Sequence, residues 1–316
     1  WDIRGTFYLA AHCKGQMRAS LYLQGWIPVN IALFIMYFPF HDPASTSLSK
    51  NTVDRNFDDL SEKFARKVYG GLKGDIRLAV IWRDLLAALP HLQTQAPLRV
   101  LDIGGGLGQF TVALAKLGHQ VVYNDLSQQM LEAAQKLAVE AGVLDKIGWY
   151  QKPYQSLKDE GLGQFDLVMS HALIEWLAKP ELLIADLESY LKPDGLLSLT
   201  FYNQNALVYR NLIRGNFNVL QGEFSAHPKS LTPGEPLQPD TVQQWVDQAE
   251  LATDYSSGIR VFHDYVTTQR GGHEDGAAVI DMELRYSRQE PFKWLGRYIH
   301  FICSKTTSTD TKKLYL

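Results

Sequence analysis

One stretch limits what this chain can become. Residues Leu98 to Ile103 form a short, mostly apolar run that ends abruptly in Gly104-Gly105-Gly106, with Gly108 following. An apolar run of that length stopped by glycines reads as a buried strand entering a tight turn. From Phe110 to Lys116 apolar residues recur at helical spacing. Strand, glycine turn and helix in that order bring a ligand to a helix N-terminus, where backbone N–H groups have no partner of their own.

The residues after this turn repeat its rhythm. Strands are expected at Gln120–Asp125, Ile147–Tyr150, Phe165–Ser170 and Leu196–Tyr202, with helices at Gln128–Ala141 and Pro180–Leu191 and a turn at Pro193-Asp-Gly195. Strands alternating with helices specify a mostly parallel sheet covered on both faces, so the expected fold is a doubly wound α/β domain. Two helices precede the first strand and are expected to cap it: one through Phe57, Leu60, Phe64 and Val68, the other from Ile76 to Leu89. Between Asn203 and Pro239 the rhythm breaks in a segment rich in glycine and proline. An insertion there lies near the carboxyl ends of the strands, and a substrate-covering lid is expected. The pattern then resumes with a helix at Thr241–Glu250, a strand at Gly258–Tyr265, a helix at Ala278–Tyr286 and a last strand at Tyr298–Cys303. The tail 306–316 is polar and expected to fray.

Residues 1–52 are unlike the rest and are expected to be a disordered or non-native extension, with the folded domain spanning 53–305. Their apolar stretch, Trp26 to Phe40, is interrupted by Pro28, Asn30 and Pro39 and is shorter than the ~20 residues a membrane span needs. No membrane association is expected. Two cysteines, Cys13 and Cys303, fit a reducing compartment. A net charge of −3 gives no global attraction to nucleic acid, so any such binding needs a local basic patch. One candidate lies between residues 285 and 305. Arg285, Arg288, Lys293, Arg297 and Lys305 set against Glu290 give +4, interleaved with Tyr286, Phe292, Trp294 and Tyr298.

The glycine turn does not suit a dinucleotide. The G-x-G-x-x-G pattern fails in both registers, with Gln109 or Thr111 where the last glycine belongs. Asp102 behind the turn can face an ammonium group, and Asp125, closing the second strand, can chelate the two hydroxyls of a ribose. By spacing alone Arg77 reads as a solvated helix residue. No metal site is expected.

Residues 98–202 resemble the class I S-adenosylmethionine-dependent methyltransferases. The resemblance rests on Leu101-Asp-Ile-Gly-Gly-Gly-Leu-Gly108, Asp125, Phe165-Asp-Leu-Val-Met-Ser-His171 and Leu191-Lys-Pro-Asp-Gly195, the last departing from the usual motif only at Asp194. It implies a seven-stranded sheet and S-adenosylmethionine as cofactor. In that family Gly104 and Gly105 would pass under the methionine part, Asp125 would hold the ribose, Tyr154 and Gln155 would flank the adenine, and His171 would face the methionine end.

Further motifs, Asp54-Arg-Asn-Phe-Asp-Asp59, Ile259-Arg-Val-Phe-His-Asp-Tyr265 and Leu295-Gly-Arg-Tyr-Ile-His300, are similar to a family of bacterial tRNA wobble-uridine methyltransferases that esterify a carboxylate on the base. That resemblance implies a cytoplasmic enzyme whose partner is tRNA at its anticodon loop, and it assigns Arg77 to the carboxylate of S-adenosylmethionine. A carboxylate nucleophile, with a reference pKa near ~4, is already ionised at neutral pH and needs no general base. The site must therefore position the acceptor. Tyr202, Arg260 and His263 are the candidates, with Asn203 and Tyr265 beside them. In place of a lysine-rich run in relatives the lid carries only Ala226-His-Pro-Lys229. Methylation of a small-molecule carboxylate or quinol, and non-catalytic cofactor binding, are the competing readings.

Overall fold

The computed structural model describes residues 53–56, 58, 70–94, 96–221, 233 and 235–306. The proposed extension, the helix through Phe57 and Val68, the middle of the insertion and the tail beyond Thr306 lie outside the described residues.

A seven-stranded sheet organises the domain. In chain order its strands are β1 (Arg99–Ile103), β2 (Gln120–Asp125), β3 (Ile147–Gln151), β4 (Phe165–His171), β5 (Leu191–Tyr202), β6 (Leu251–Ile259) and β7 (Tyr298–Lys305). Their spatial order is β3-β2-β1-β4-β5-β7-β6. The pairings β1–β2, β2–β3, β1–β4 and β4–β5 are parallel, and β7 runs antiparallel between β5 and β6. The order reverses between β1 and β4, which leaves a crevice at the carboxyl ends of those strands. The helices are α1 (Leu72–Ala88), α2 (Gln109–Lys116), α3 (Gln128–Glu140), α4 (Leu183–Ser189), α5 (Gln204–Ile213), α6 (Phe217–Leu220), α7 (Pro239–Gln248) and α8 (Gly276–Tyr286).

Each face of the sheet has its own core. One is built from Ile76, Val80, Ile81 and Leu85 of α1, with Phe110, Tyr123 and Met169. The other gathers Leu101, Ile103, Phe165, Leu197, Leu199, Phe201 and Phe301 under α4 and α7. The central strands are therefore apolar on both sides, as burial on two faces requires. Among the described residues no helix is long and apolar enough to cross a membrane.

Among the described residues the elements agree with the sequence reading except in three places. The expected strand Gly258–Tyr265 is in fact β6 at Leu251–Ile259. Its sequence, Leu-Ala-Thr-Asp-Tyr-Ser-Ser-Gly-Ile, has weak strand propensity and no clean alternation, so its pairing with β7, including a bulge near Asp254, makes it a strand. Consequently Arg260, His263 and Tyr265 are not strand residues. Arg260 follows β6 with φ +62°, and His263–Tyr265 form a single 3-10 turn. Second, Pro193-Asp-Gly195 is a bulge within β5 rather than a turn before it: Leu191 pairs with Phe165, and pairing resumes at Leu196 with Leu167. Third, the helix expected over Pro180–Leu191 divides into a 3-10 turn, Pro180–Leu182, and α4.

The insertion after β5 starts and ends at the same point. Leu237 N donates to Tyr202 O and Gln204 N to Leu237 O, so the segment between them closes on itself. Its described part is α5 and α6.

Candidate functional site

The glycine turn is held open from below by β2. Gly104 N and Gly105 N both donate to Asn124 O, Gly106 N donates to Asp125 Oδ2 at 2.9 Å, and the Tyr123 hydroxyl donates to Gly106 O at 2.6 Å. Gly104, Gly106 and Gly108 all have positive φ, a conformation that side chains resist. Gly105 is required for another reason: a Cβ there would lie 2.6 Å from the Tyr123 ring. Three alternating glycines thus serve the backbone path, and the fourth makes room for the tyrosine that anchors it.

Above the turn is an open cavity lined among others by Arg77, Gly104, Gly106, Asp125, Tyr154 and His171. Of the residues expected to hold cofactor, Arg77, Gly104, Asp125, Tyr154 and His171 are brought together here. Gly105 and Gln155 are not on the wall. Gly105 sits behind the turn, and Gln155 Nε2 donates to Asp54 Oδ2 at 2.9 Å. That bond is part of a strap: Asp54 Oδ1 accepts from Ala178 N, Arg55 N donates to Trp176 O, and Asp58 accepts from the Ser127 hydroxyl. Asp54 and Arg55 line the cavity themselves, which is the structural role of the Asp54-Arg-Asn motif.

The residues present fit S-adenosylmethionine. Asp125 accepts from Gly106 N and Ser127 N, one bond per oxygen, and each oxygen keeps a lone pair for a ribose hydroxyl. Arg77 is buried on α1 with its guanidinium 4.2 Å over the Tyr298 ring, where it can meet a carboxylate. His171 is kept uncharged above all by burial. It therefore sets no positive charge against a sulfonium.

Asp102 does not reach the cavity. It is buried behind the turn, where Thr111 Oγ1 donates to its Oδ2 at 2.5 Å. Burial, and then the charge of Asp125, push its pKa up to about 7 against the opposing Thr111 bond. A folded-state pKa above the unfolded value means stability that is fully present below about pH 4 and lost as pH rises through about 7. Thermal melts of the ligand-free protein from pH 5 to 8 should show this fall. Asp102→Asn should flatten it by an amount on the order of 2 kcal/mol, and parallel curves for both proteins would contradict the assignment.

A second polar cluster lies next to the cavity, across the ring of Tyr298. Arg77 stacks over that ring at 4.2 Å and Arg260 at 5.6 Å. Arg260, Arg297 and Lys73 approach the Asp264 carboxylate at 3.4, 3.8 and 3.9 Å, and Arg214 Nη2 donates to the Asp264 carbonyl. Burial opposes ionisation of Asp264, but Arg260, Arg297, Lys73 and Arg210 together hold its pKa below the usual carboxylate range. One acid facing four cations leaves an excess of positive charge. Four polar atoms in this cluster, Tyr202 Oη, Arg210 Nε, Arg260 Nε and Asp264 Oδ1, are buried without a hydrogen-bond partner among the described residues. Buried groups of this kind are nearly always satisfied in a working protein, so their co-location points to a polar ligand.

The local fold explains how Arg260 arrives there. Its left-handed backbone is an uncommon conformation of the sort that persists where surrounding structure enforces it. The enforcement comes from Glu283 on α8, whose carboxylate accepts from Val261 N, Phe262 N and His263 N. On the other side Gly258 and Gly296 bring two backbones together, and a Cβ on Gly296 would lie 2.5 Å from Gly258 Cα. Gly296→Ala is expected to cost about 1–3 kcal/mol and to move the segment carrying Arg260 and Arg297, as a shifted denaturant midpoint would show.

Of the expected acceptor-binding residues, Tyr202 and Arg260 belong to this cluster, whereas His263 is at its margin, half-buried, with its pKa lowered by burial first and by Lys73, Arg260 and His273. Asn203 and Tyr265 are structural. Asn203 donates to Trp294 O and Gly296 O and caps α5, and the Tyr265 hydroxyl donates to Leu295 O. The basic run 285–305 is not one surface. Arg288 is bound to Asp84, Lys293 to Glu290 and Lys305 to Glu188, and Arg297 joins the cluster. Arg297 and Asp264 as a pair were not singled out in the sequence, since nothing local marks residues 33 positions apart as neighbours.

Known proteins resemble this chain in sequence and fold. Residues 101–199 match a family model described as a methyltransferase domain. Over 258 residues the chain is 40% identical to the tRNA 5-carboxymethoxyuridine methyltransferases of Escherichia coli O157:H7 and strain K12, covering 81% of this chain and 98% of each relative. It is 27% identical over 201 residues to a ubiquinone biosynthesis O-methyltransferase of Shewanella halifaxensis, covering 58% of this chain and 82% of that one. The magnesium protoporphyrin IX methyltransferase of Synechocystis PCC 6803, solved with bound S-adenosylhomocysteine, shares the fold with a TM-score of 0.50 at 15% identity, over 79% of this chain and 96% of that one. The chain belongs to the tRNA 5-carboxymethoxyuridine methyltransferase family of S-adenosylmethionine-dependent enzymes.

Proposed function

We propose that this enzyme methylates the carboxylate of 5-carboxymethoxyuridine at the tRNA wobble position, giving the methyl ester, and that the cluster around Asp264 holds that carboxylate. The observation that carries the reading is the pair of buried polar atoms left without a hydrogen bond among the described residues, Tyr202 Oη and Arg210 Nε, in a region of excess positive charge beside the cofactor cavity, where Arg260 Nε has only an ion-pair contact with Asp264.

S-Adenosylmethionine, when bound, supplies the methyl group on a sulfonium, so that a carbon–oxygen bond to the acceptor forms as the carbon–sulfur bond breaks and no proton is transferred. The protein's task is placement. Arg260 and Arg297 would fix the carboxylate, and Asp264 orients both guanidiniums. Burial strips water from the nucleophile, and a shaped site fixes its approach. Too strong a grip would quench the nucleophile, and Asp264 tempers that grip by sharing the same cations. In the cofactor cavity Arg77 would take the methionine carboxylate, Asp125 the ribose, and Tyr154 the adenine.

The insertion would present the anticodon loop. Arg210 and Arg214 lie on or just after α5, and Tyr209 and Phe217 are exposed on it and on α6, offering cations for phosphate and rings for unstacked bases. A tRNA partner supports a cytoplasmic location. The test is transfer of labelled methyl to tRNA from cells lacking the activity, followed by nucleoside analysis. Label in a base-labile ester of 5-carboxymethoxyuridine is the expected result. Transfer only to small acids or quinols would overturn it.

A further inference from the structure

His171, on the cavity wall, is one end of a chain of four side chains running across the face of the sheet that α1 covers. Its Nε2 lies 2.8 Å from Ser198 Oγ, Ser198 Oγ lies 2.9 Å from His300 Nε2, and His300 Nδ1 lies 2.8 Å from Asp84 Oδ2. Ser198, His300 and Asp84 are fully buried. The far end is fixed by Arg83 and Arg288, which both donate to Asp84 Oδ1. Asp84 and Arg77 are seven residues apart on α1, so one helix face delivers both. Burying such a chain is costly, and hydrophobic replacements of similar shape are often as stable, so what it specifies is the question.

The direction of each hydrogen bond follows from the end held by Asp84. An ionised carboxylate only accepts, so His300 Nδ1 carries a proton. Arg83 and Arg288 already meet the charge of Asp84, so the arrangement we assign gives His300 its hydrogen on Nδ1 alone, with Nε2 accepting from the Ser198 hydroxyl. Having spent its proton, Ser198 can only accept from His171, which must carry its hydrogen on Nε2. Nδ1 of His171 is left bare, and it makes no hydrogen bond among the described residues. A bare ring nitrogen close to Arg77 is complementary to the two ends of an α-amino acid, the nitrogen for the ammonium group and the guanidinium for the carboxylate.

We propose that Asp84, His300 and Ser198 are positioning residues that hold His171 with its hydrogen on Nε2, so that Nδ1 accepts a hydrogen bond from the α-ammonium group of S-adenosylmethionine. This rests on the reading of the cavity as the cofactor's site.

The tautomer can be observed directly. In the full chain labelled with 15N-histidine, long-range proton–nitrogen correlations, assigned by the loss of one set in His171→Asn, should show His171 protonated on Nε2 without ligand. Adding S-adenosylmethionine should shift the Nδ1 resonance. Ser198→Ala cuts the chain at its smallest member. It should leave His171 a mixture of tautomers and raise KM for the cofactor about tenfold, with kcat at saturation within about twofold, since one hydrogen bond to a charged group is at stake. The double variant with His171→Asn should be no worse than His171→Asn alone. Protonation of His171 on Nδ1, an unchanged tautomer and KM in Ser198→Ala, or cofactor binding that leaves Nδ1 unmoved would each overturn the proposal. Unchanged cofactor affinity in Asp125→Ala would instead overturn the reading of the cavity.

Discussion

Arg260→Gln should lower kcat/KM for the carboxylate-bearing acceptor by about 10- to 100-fold while leaving affinity for S-adenosylmethionine within about twofold. The range follows from losing one charge-assisted hydrogen bond to a carboxylate, worth about 1.5–3 kcal/mol. The variant should fold, because Asp264 keeps Arg297 and Lys73 as partners. The loss should appear mostly in KM if the guanidinium grips the acceptor equally in the ground and transition states, and in kcat if it acts only on approach to the sulfonium. Steady-state kinetics with each substrate varied in turn separates these, and a variant impaired equally toward both substrates would place Arg260 in the fold rather than in the acceptor site.

Asp125→Ala should be more damaging to cofactor binding. The carboxylate has two jobs: it holds the glycine turn through Gly106 N and Ser127 N, and it offers its remaining lone pairs to the ribose. Losing the ribose contacts alone should weaken binding by about two to three orders of magnitude, since two hydrogen bonds to a charged group are removed together. Calorimetry would measure this directly. Asp125→Asn is the informative companion, because it retains one acceptor oxygen and should recover part of the loss. Equal affinities in wild type and Asp125→Ala would remove the ribose from this position.

The cofactor half of the site was legible because it is local. A strand, its glycine turn and the acid that ends the next strand lie within 30 residues, and their spacing states their geometry. The acceptor half was only partly legible. Arg260 and Tyr202 could be named as candidates, but the cluster joins β5, the insertion, the segment after β6 and the start of β7. Only the antiparallel placement of β7 between β5 and β6 brings them together. The strand β6 was misplaced because its polar sequence is extended by pairing rather than by propensity. Arg288, read in the sequence as part of a basic patch, and His300, the end of a family motif, instead bind Asp84 inside the protein. A motif records that a residue is needed, and whether it is needed for contact or for support is settled by where the chain places it. Gly258 and Gly296 show this again: their positions are explained only by two backbones that meet from separate elements.

The central claim, that positive charge around Asp264 selects an acidic acceptor, is tested most directly by comparing two tRNAs that differ only at the wobble base, one bearing the carboxylate and the other its neutral amide. Single-turnover methyl transfer and equilibrium binding would be measured for both with wild type and Arg260→Gln. The account predicts that wild type binds the acid about 10- to 100-fold more tightly than the amide, that only the acid is methylated, and that Arg260→Gln erases most of the difference in binding. Equal binding of acid and amide by the wild-type enzyme would contradict it.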